Sequence, residues 1–153
     1  MNHLANIRAR DKVVLLVEDQ PDDEILTLRA LRKGQMTNPI VVARDGQEAL
    51  DFVFCRGIFG ERAGQPNPAL IILDLKLPKV DGLGVLRAIR EDVHTRLTPV
   101  VVLTSSNQEQ DLTQAYALGV NSYIRKPVDF AAFQEAARLL AVYWLTLNCG
   151  LPD

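Results

Sequence analysis

Residues 13–19 read Val-Val-Leu-Leu-Val-Glu-Asp, an apolar run that ends abruptly on two acids. A continuous run rich in β-branched residues is typical of a strand buried on both faces, as the inner strands of a parallel sheet are. Four later segments are also predicted to be strands, at 40–43, 69–73, 100–103 and 122–125. The last three are followed, like the first, by a residue with a polar side chain.

Helical periodicity follows every predicted strand. Apolar residues spaced three and four apart predict five helices, from about Asp22 to Gly34, around 49–54, around 83–89, from a capping box at Ser106 and Glu109 to Gly119, and from about Phe130 to Leu147. Asp129 is placed to cap the last helix. This strict alternation predicts an α/β domain in which helices cover both faces of a parallel sheet. Ligands of such sheets bind beyond the carboxyl ends of the strands.

Composition and charge argue against several classes of protein. The 153 residues suit one domain, and 48% hydrophobic with 24% charged residues is ordinary for a globular chain. Lys+Arg 17 against Asp+Glu 19 argues against a nucleic-acid binder that works by bulk charge. No apolar run reaches the roughly 18–20 residues of a membrane span, and the N-terminus lacks the apolar region of a signal peptide. With only Cys55 and Cys149, a zinc site or disulfide scaffold is not expected. We therefore expect a cytoplasmic protein that binds neither nucleic acid nor membrane directly.

The residues at the strand ends carry the chemistry. Glu18 and Asp19 follow the first strand, Asp74 the third, Thr104 the fourth and Lys126 the fifth. Converging carboxylates attract a cation, and Mg²⁺ prefers such oxygen ligands. A carboxylate can also act as a nucleophile on phosphorus, with an ammonium and a hydroxyl binding the phosphoryl oxygens. The pattern indicates phosphoryl chemistry on a carboxylate.

The same residues carry a resemblance. Over about Lys12 to Leu147 the chain is similar to the receiver domains of two-component response regulators. The matching motifs are Leu-Leu-Val-Glu-Asp at 15–19, Ile-Leu-Asp-Leu-Lys-Leu-Pro at 72–78, Asp-Gly at 81–82, Leu-Thr-Ser-Ser at 103–106 and Tyr-Ile-Arg-Lys-Pro at 123–127. The resemblance implies a CheY-like, flavodoxin-like (βα)5 fold with strand order 2-1-3-4-5. It also implies three parts, an N-terminal extension at 1–11, the receiver domain at 12–147 and a tail at 148–153.

The resemblance also implies roles. Asp74 is expected to be the phosphoacceptor, and Thr104 and Lys126 to contact the phosphoryl group. Glu18, Asp19, Asp74 and the backbone carbonyl of Lys76 are expected to hold Mg²⁺ or Mn²⁺. Tyr123 is expected to be a switch aromatic that moves with Thr104, and the Lys126–Pro127 peptide bond is expected to be cis.

Two features resemble a narrower group, the small response regulators paired with bacterial and cyanobacterial phytochromes. These features are the long loop at 56–68 and the C-terminal Tyr-Trp-Leu-Thr-Leu-Asn at 143–148. The resemblance implies a histidine kinase as partner, with a bacteriophytochrome as the candidate. The last helix is apolar almost all round, which predicts a homodimer through the face formed by the fourth helix, fifth strand and fifth helix.

Two alternatives stay open at this point. A phosphatase of the haloacid-dehalogenase type also uses a strand-end Asp nucleophile, but Lys76 stands where that family has its general acid. A receiver that no longer takes phosphate would be an interaction module only. For the favoured interpretation, a signalling protein rather than an enzyme, the chain's end soon after the last helix predicts output through protein contacts.

Overall fold

A computed structural model describes residues 12–151. Its five strands form one parallel sheet in the order β2-β1-β3-β4-β5. The strands are β1 (Val14–Val17), β2 (Ile40–Ala43), β3 (Leu70–Leu73), β4 (Val100–Thr104) and β5 (Ser122–Arg125). The predicted flavodoxin-like fold and strand order are confirmed.

Helices cover both faces of this sheet. They are α1 (Pro21–Lys33), α2 (Gly46–Val53), α3 (Gly82–Glu91), α4 (Glu109–Ala117) and α5 (Phe130–Val142). A 3₁₀ helix (Gly57–Arg62) lies in the long loop after α2, and a π-helical turn (Tyr143–Leu147) extends α5. Helix α1 packs beside α5, while α3 packs beside α2 and α4.

Alternation along β1 explains why its sequence is apolar throughout. Leu15 and Val17 belong to the core cluster shared with α2, α3 and α4, and Val14 and Leu16 to the cluster shared with α1 and α5. Successive strand residues point to opposite faces, so a strand covered on both sides needs an apolar residue at every position. All four residues are buried.

The predicted capping box of α4 is wrong. The helix begins at Glu109 with Gln108 as its N-cap residue, and no side chain caps it. The Ser106 hydroxyl instead donates to Asp111 Oδ2 at 2.5 Å and accepts the Gln108 N–H at 3.3 Å. Ser106 therefore closes the turn before the helix, because its oxygen accepts the Gln108 N–H rather than an N–H of the first helical turn.

The end of α5 differs from a regular helix. A 3.6-residue period that places Phe133 and Leu140 in the core would also bury Leu147, but Leu147 is 66% exposed and Leu145 is buried. The π-helical turn holds more residues than an α turn, so it shifts which positions face the sheet. As predicted, Asp129 caps the start of α5, where its carboxylate accepts the Ala132 N–H at 3.0 Å.

Within residues 12–151, no helix combines the length and the apolar character that crossing a bilayer requires.

Candidate functional site

The backbone ladder of the sheet holds the predicted site residues in place. Glu18 N–H donates to the Ala43 carbonyl at 3.0 Å, and Asp74 N–H donates to the Val17 carbonyl at 3.1 Å. Lys126 N–H donates to the Thr104 carbonyl at 2.8 Å. Glu18, Asp74 and Lys126 are therefore each the first residue beyond a strand and still part of the ladder, and Thr104 is the last residue of β4. Because the strands are parallel, their side chains meet at one edge of the sheet.

Lys126 is the centre of this group. Its Nζ contacts Glu18 Oε2 at 2.8 Å, Asp23 Oδ2 at 2.9 Å and Asp74 Oδ2 at 3.0 Å. The Lys126 side chain is only 8% exposed. An ammonium has three N–H donors, so the three carboxylates use all of them.

Burial and charge shift two pKa values at the site. Burial, reinforced by the charge of Asp74, raises the pKa of Glu18 to about 7 against the opposing effect of Lys126. Burial acts to lower the pKa of Lys126, but hydrogen bonds to Glu18 and Asp23 and the charge of Asp74 outweigh it and raise that pKa. The Lys126 ammonium therefore stays charged, and three carboxylates share its single positive charge.

Both oxygens of Asp74 are bound. Its Oδ1 accepts the Thr104 hydroxyl at 3.0 Å and the Lys76 N–H at 3.3 Å, while its Oδ2 accepts Lys126. The Thr104 oxygen in turn accepts the Ser106 N–H at 3.3 Å. That bond turns the Thr104 proton towards Asp74, so Lys126 and Thr104 both reach the predicted acceptor as its sequence position implied.

A divalent cation fits beside these groups. One carboxylate oxygen each from Glu18, Asp19 and Asp74 lies within 4.8 Å of the others. An all-oxygen, anionic set is what a hard cation such as Mg²⁺ binds. The Lys76 N–H donates to Asp74, so the backbone of residue 76 lies beside this carboxylate. The metal-binding role of the Lys76 carbonyl stays a prediction.

The Asp-Gly motif at 81–82 positions the loop behind Asp74. A side-chain carbon on Gly82 would collide with the Asp74 carbonyl oxygen and stand 2.5 Å from Leu75 Cα. The Gly82 N–H donates to the Leu75 carbonyl at 2.8 Å, and the Asp81 carboxylate caps α3 through the Gly84 N–H at 2.8 Å. The start of α3 can therefore lie against the backbone of the predicted acceptor only with glycine at 82.

Tyr123 lies near this edge, on β5 beside β4. Its ring packs against the α2–α4 side of the core, and its hydroxyl is buried without a hydrogen bond of ordinary geometry among the described residues. Burial raises its pKa, with Ser106 and Asp111 the nearby polar groups. Whether Tyr123 moves with Thr104 stays a prediction.

Two features of the site differ from the sequence-based predictions, the contact of Asp23 with Lys126 and the isomer of the Lys126–Pro127 peptide bond. Asp23 contacts Lys126, but it is one of three consecutive acids in the first turn of α1, and only the rotation of that helix selects it. The expected cis Lys126–Pro127 bond is wrong, because the peptide bonds among residues 12–151 are trans. Trans is the intrinsically favoured isomer even before proline, and Lys126 reaches its three acids in that form.

The fold and site together define a class of protein. It is a doubly wound α/β domain that presents a carboxylate, a hydroxyl and an ammonium at the carboxyl edge of its sheet, beside an acidic pair. The chain belongs to the response regulator receiver domain family, whose model matches residues 14–138.

Two curated relatives have nearly the same length as this chain. The probable methanogenesis regulatory protein FilR2 of Methanothrix harundinacea (strain 6Ac) is 40% identical over 136 residues, which is 89% of this chain and 85% of the relative. Response regulator Rcp1 of Synechocystis sp. (strain ATCC 27184 / PCC 6803 / Kazusa) is 37% identical over 134 residues, 88% of this chain and 89% of the relative.

The solved structures that resemble this chain also include response regulators. The phosphorylated cyanobacterial phytochrome response regulator RcpA has a TM-score of 0.84 at 35% identity, covering 92% of this chain and 98% of that one. The Mn²⁺-bound form of Rcp1 has a TM-score of 0.84 at 34% identity, covering 92% and 99%. The bacteriophytochrome response regulator AtBRR has a TM-score of 0.75 at 48% identity, covering 94% and 98%. The chain is therefore similar to small response regulators of phytochromes.

Proposed function

We propose that this protein is a phosphorylation switch in which Asp74 accepts a phosphoryl group from a histidine kinase. The observation that carries the proposal is the setting of Asp74, whose carboxylate is contacted at 3.0 Å by both Lys126 and Thr104. Groups that touch the carboxylate on two sides are within reach of phosphoryl oxygens placed on it. They can stabilise the charge that develops during transfer.

The proposed step is a displacement at phosphorus. A bond forms between an Asp74 carboxylate oxygen and phosphorus, and the P–N bond to the donor histidine breaks. The electron pair of that bond stays on the imidazole nitrogen, and the product is an acyl phosphate. Lys126 and Thr104 then bind phosphoryl oxygens, and the family resemblance makes Tyr123 the residue that responds to the movement of Thr104.

Glu18, Asp19, Asp74 and the Lys76 carbonyl are the residues proposed to hold Mg²⁺ or Mn²⁺. The close approach of the three carboxylates supports this, as does the Mn²⁺-bound form of the similar Rcp1. When bound, the cation would neutralise negative charge on the phosphoryl oxygens. Glu18 and Asp74, for their part, are oriented by Lys126 and by the backbone ladder.

The proposed output is through protein contacts. Leu139, Tyr143 and Leu147 recur every four residues along α5 and its π-helical turn, and each is more than half exposed. Tyr116 on α4 is 55% exposed. Exposed apolar side chains on the α4–β5–α5 side favour a homodimer there, and light scattering that finds only a monomer near 17.0 kDa, with and without phosphodonor, would exclude it.

The proposed partner and setting follow the relatives. Similarity to response regulators of phytochromes supports a histidine kinase of the bacteriophytochrome type as the donor. A receiver of this kind acts in the cytoplasm, without direct binding to nucleic acid or membrane. Its only catalysis is its own phosphorylation and dephosphorylation, and the site favours neither a phosphatase nor a phosphate-independent module.

Intact-mass spectrometry with acetyl phosphate tests the acceptor. We expect one added phosphoryl group in the presence of Mg²⁺ and none with EDTA. Asp74→Asn should abolish the adduct. Asp81→Asn is the matched control, because Asp81 lies in the following loop, caps α3 and is not one of the three carboxylates that contact Lys126 among the described residues. An adduct that persists at the wild-type rate in Asp74→Asn would overturn the assignment.

A further inference from the structure

Lys126 has no N–H donor to spare. Glu18, Asp23 and Asp74 accept from Nζ at 2.8, 2.9 and 3.0 Å. Because an ammonium has three donors, a new bond to a phosphoryl oxygen requires that one present bond is given up.

The three acids differ in how easily they can release Lys126. The Glu18 side chain is 3% exposed and that of Asp74 is 7% exposed, whereas the Asp23 side chain is 37% exposed. The Glu18 carboxylate is buried, so water cannot replace Lys126 there without a large cost. Asp74 is the residue that carries the phosphoryl group. Asp23 alone can exchange Lys126 for water at low cost.

We propose that Asp23 is a positioning residue for phosphoryl transfer, the exchangeable partner that holds the Lys126 ammonium until the phosphoryl group takes its place. The inference rests on the proposed function, because it assumes that Lys126 binds a phosphoryl group on Asp74. It adds that phosphorylation frees a carboxylate in the first turn of α1.

This competition affects the two directions of the reaction unequally. The unphosphorylated chain has the Asp23–Lys126 bond, while the transition state and the phosphorylated chain have lost it. Removing the Asp23 charge therefore brings the starting state closer to the transition state for phosphorylation. Dephosphorylation starts from a state in which the bond is already broken, so its barrier does not change.

The test compares Asp23→Asn with Asp22→Asn. Asp22 is the neighbouring acid in the same helical turn, and it is exposed and makes no salt bridge to Lys126 in the structure. Intact-mass time courses give the rate of phosphorylation by acetyl phosphate with Mg²⁺. The rate of phosphoryl loss follows after removal of the donor.

We expect Asp23→Asn to phosphorylate faster by roughly two- to fivefold, the range set by a partly exposed ion pair. Its dephosphorylation rate should match the wild type, and Asp22→Asn should change neither rate. Equal changes in both rates, no change in the phosphorylation rate, or the same acceleration in Asp22→Asn would overturn the role of Asp23. In each of those cases a wild-type adduct lost in Asp74→Asn would leave the proposed function standing. A wild-type chain that takes no phosphoryl group would overturn both.

Discussion

Replacing Lys126 with methionine removes the cation that contacts the buried carboxylates of Glu18 and Asp74. Lys126 is 8% exposed and Glu18 3% exposed, so this is a buried ion pair, and breaking one such pair costs roughly 3–5 kcal/mol. The Asp23 contact adds little, because Asp23 is 37% exposed and water can replace its partner. We expect Lys126→Met to lower the free energy of unfolding by about 3–5 kcal/mol at pH 8, measured by urea denaturation in EDTA.

The cost should shrink in acid. Glu18 already has its pKa raised to about 7 by burial and by Asp74, and loss of Lys126 removes the interactions that hold it down. A carboxyl whose folded pKa lies above its unfolded value of about 4.5 takes up a proton on folding between those values. Stability from that group is therefore greatest at low pH and falls as the pH rises through the folded pKa. At pH 5.5 the variant buries a neutral Glu18, and the loss should be well under half of that at pH 8.

Two further variants isolate the cause. Adding Glu18→Gln to Lys126→Met should recover roughly 2 kcal/mol or more at pH 8 and little at pH 5.5, because the double variant buries no lone Glu18 charge. Lys79→Met is the matched control, since Lys79 is 67% exposed and pairs with Asp45 at 3.5 Å, and it should cost well under about 1 kcal/mol. A Lys126→Met loss that is the same at both pH values, or that Glu18→Gln does not relieve, would show that an unpaired Glu18 charge is not the cause of the loss.

Three other substitutions probe the frame around the site, each measured by urea denaturation. Tyr123→Phe removes a buried hydroxyl that has no hydrogen bond of ordinary geometry within residues 12–151, and should raise the free energy of unfolding by up to about 1 kcal/mol; a clear loss would mean that the hydroxyl has a partner. Arg90→Met removes guanidinium bonds of 2.8–2.9 Å to two backbone carbonyls and to Asn121 Oδ1, and should cost about 2–3 kcal/mol; a loss below 1 kcal/mol would contradict the view that these bonds hold α3 to the sheet. Gly46→Ala sets a side-chain carbon against the Val80 carbonyl oxygen and should cost about 1–3 kcal/mol and slow phosphorylation; a fully stable variant would show that the loop after Asp74 can move aside freely.

Much of the site could be predicted because strand ends need little tertiary information. The last residue of an apolar run such as 13–17 shows where the strand ends, and in a parallel sheet the carboxyl ends of all strands lie at the same edge. The sequence therefore predicts that four side chains meet, those of Glu18, Asp74, Thr104 and Lys126. In the structure Lys126 contacts Glu18 at 2.8 Å and Asp74 at 3.0 Å, and Thr104 contacts Asp74 at 3.0 Å.

What could not be predicted depends on packing. The rotation of α1 decides that Asp23, rather than its neighbours, contacts Lys126, and no local pattern encodes that rotation. The Ser106 oxygen can accept an N–H either in the turn before α4 or at the start of that helix, and in the structure it accepts the Gln108 N–H in the turn. The π-helical turn after α5 buries Leu145 and exposes Leu147, and a regular 3.6-residue period does not anticipate it.

The proposed switch requires that Asp74 itself carries the phosphoryl group. Borohydride reduces an acyl phosphate of aspartate to homoserine, which marks the modified position permanently. Peptide mass spectrometry after treatment with acetyl phosphate, Mg²⁺ and borohydride should find homoserine at position 74. Homoserine at another acid, such as Asp19 or Asp23, or an unreduced Asp74 in a chain whose intact mass shows the adduct, would show that Asp74 is not the phosphoacceptor.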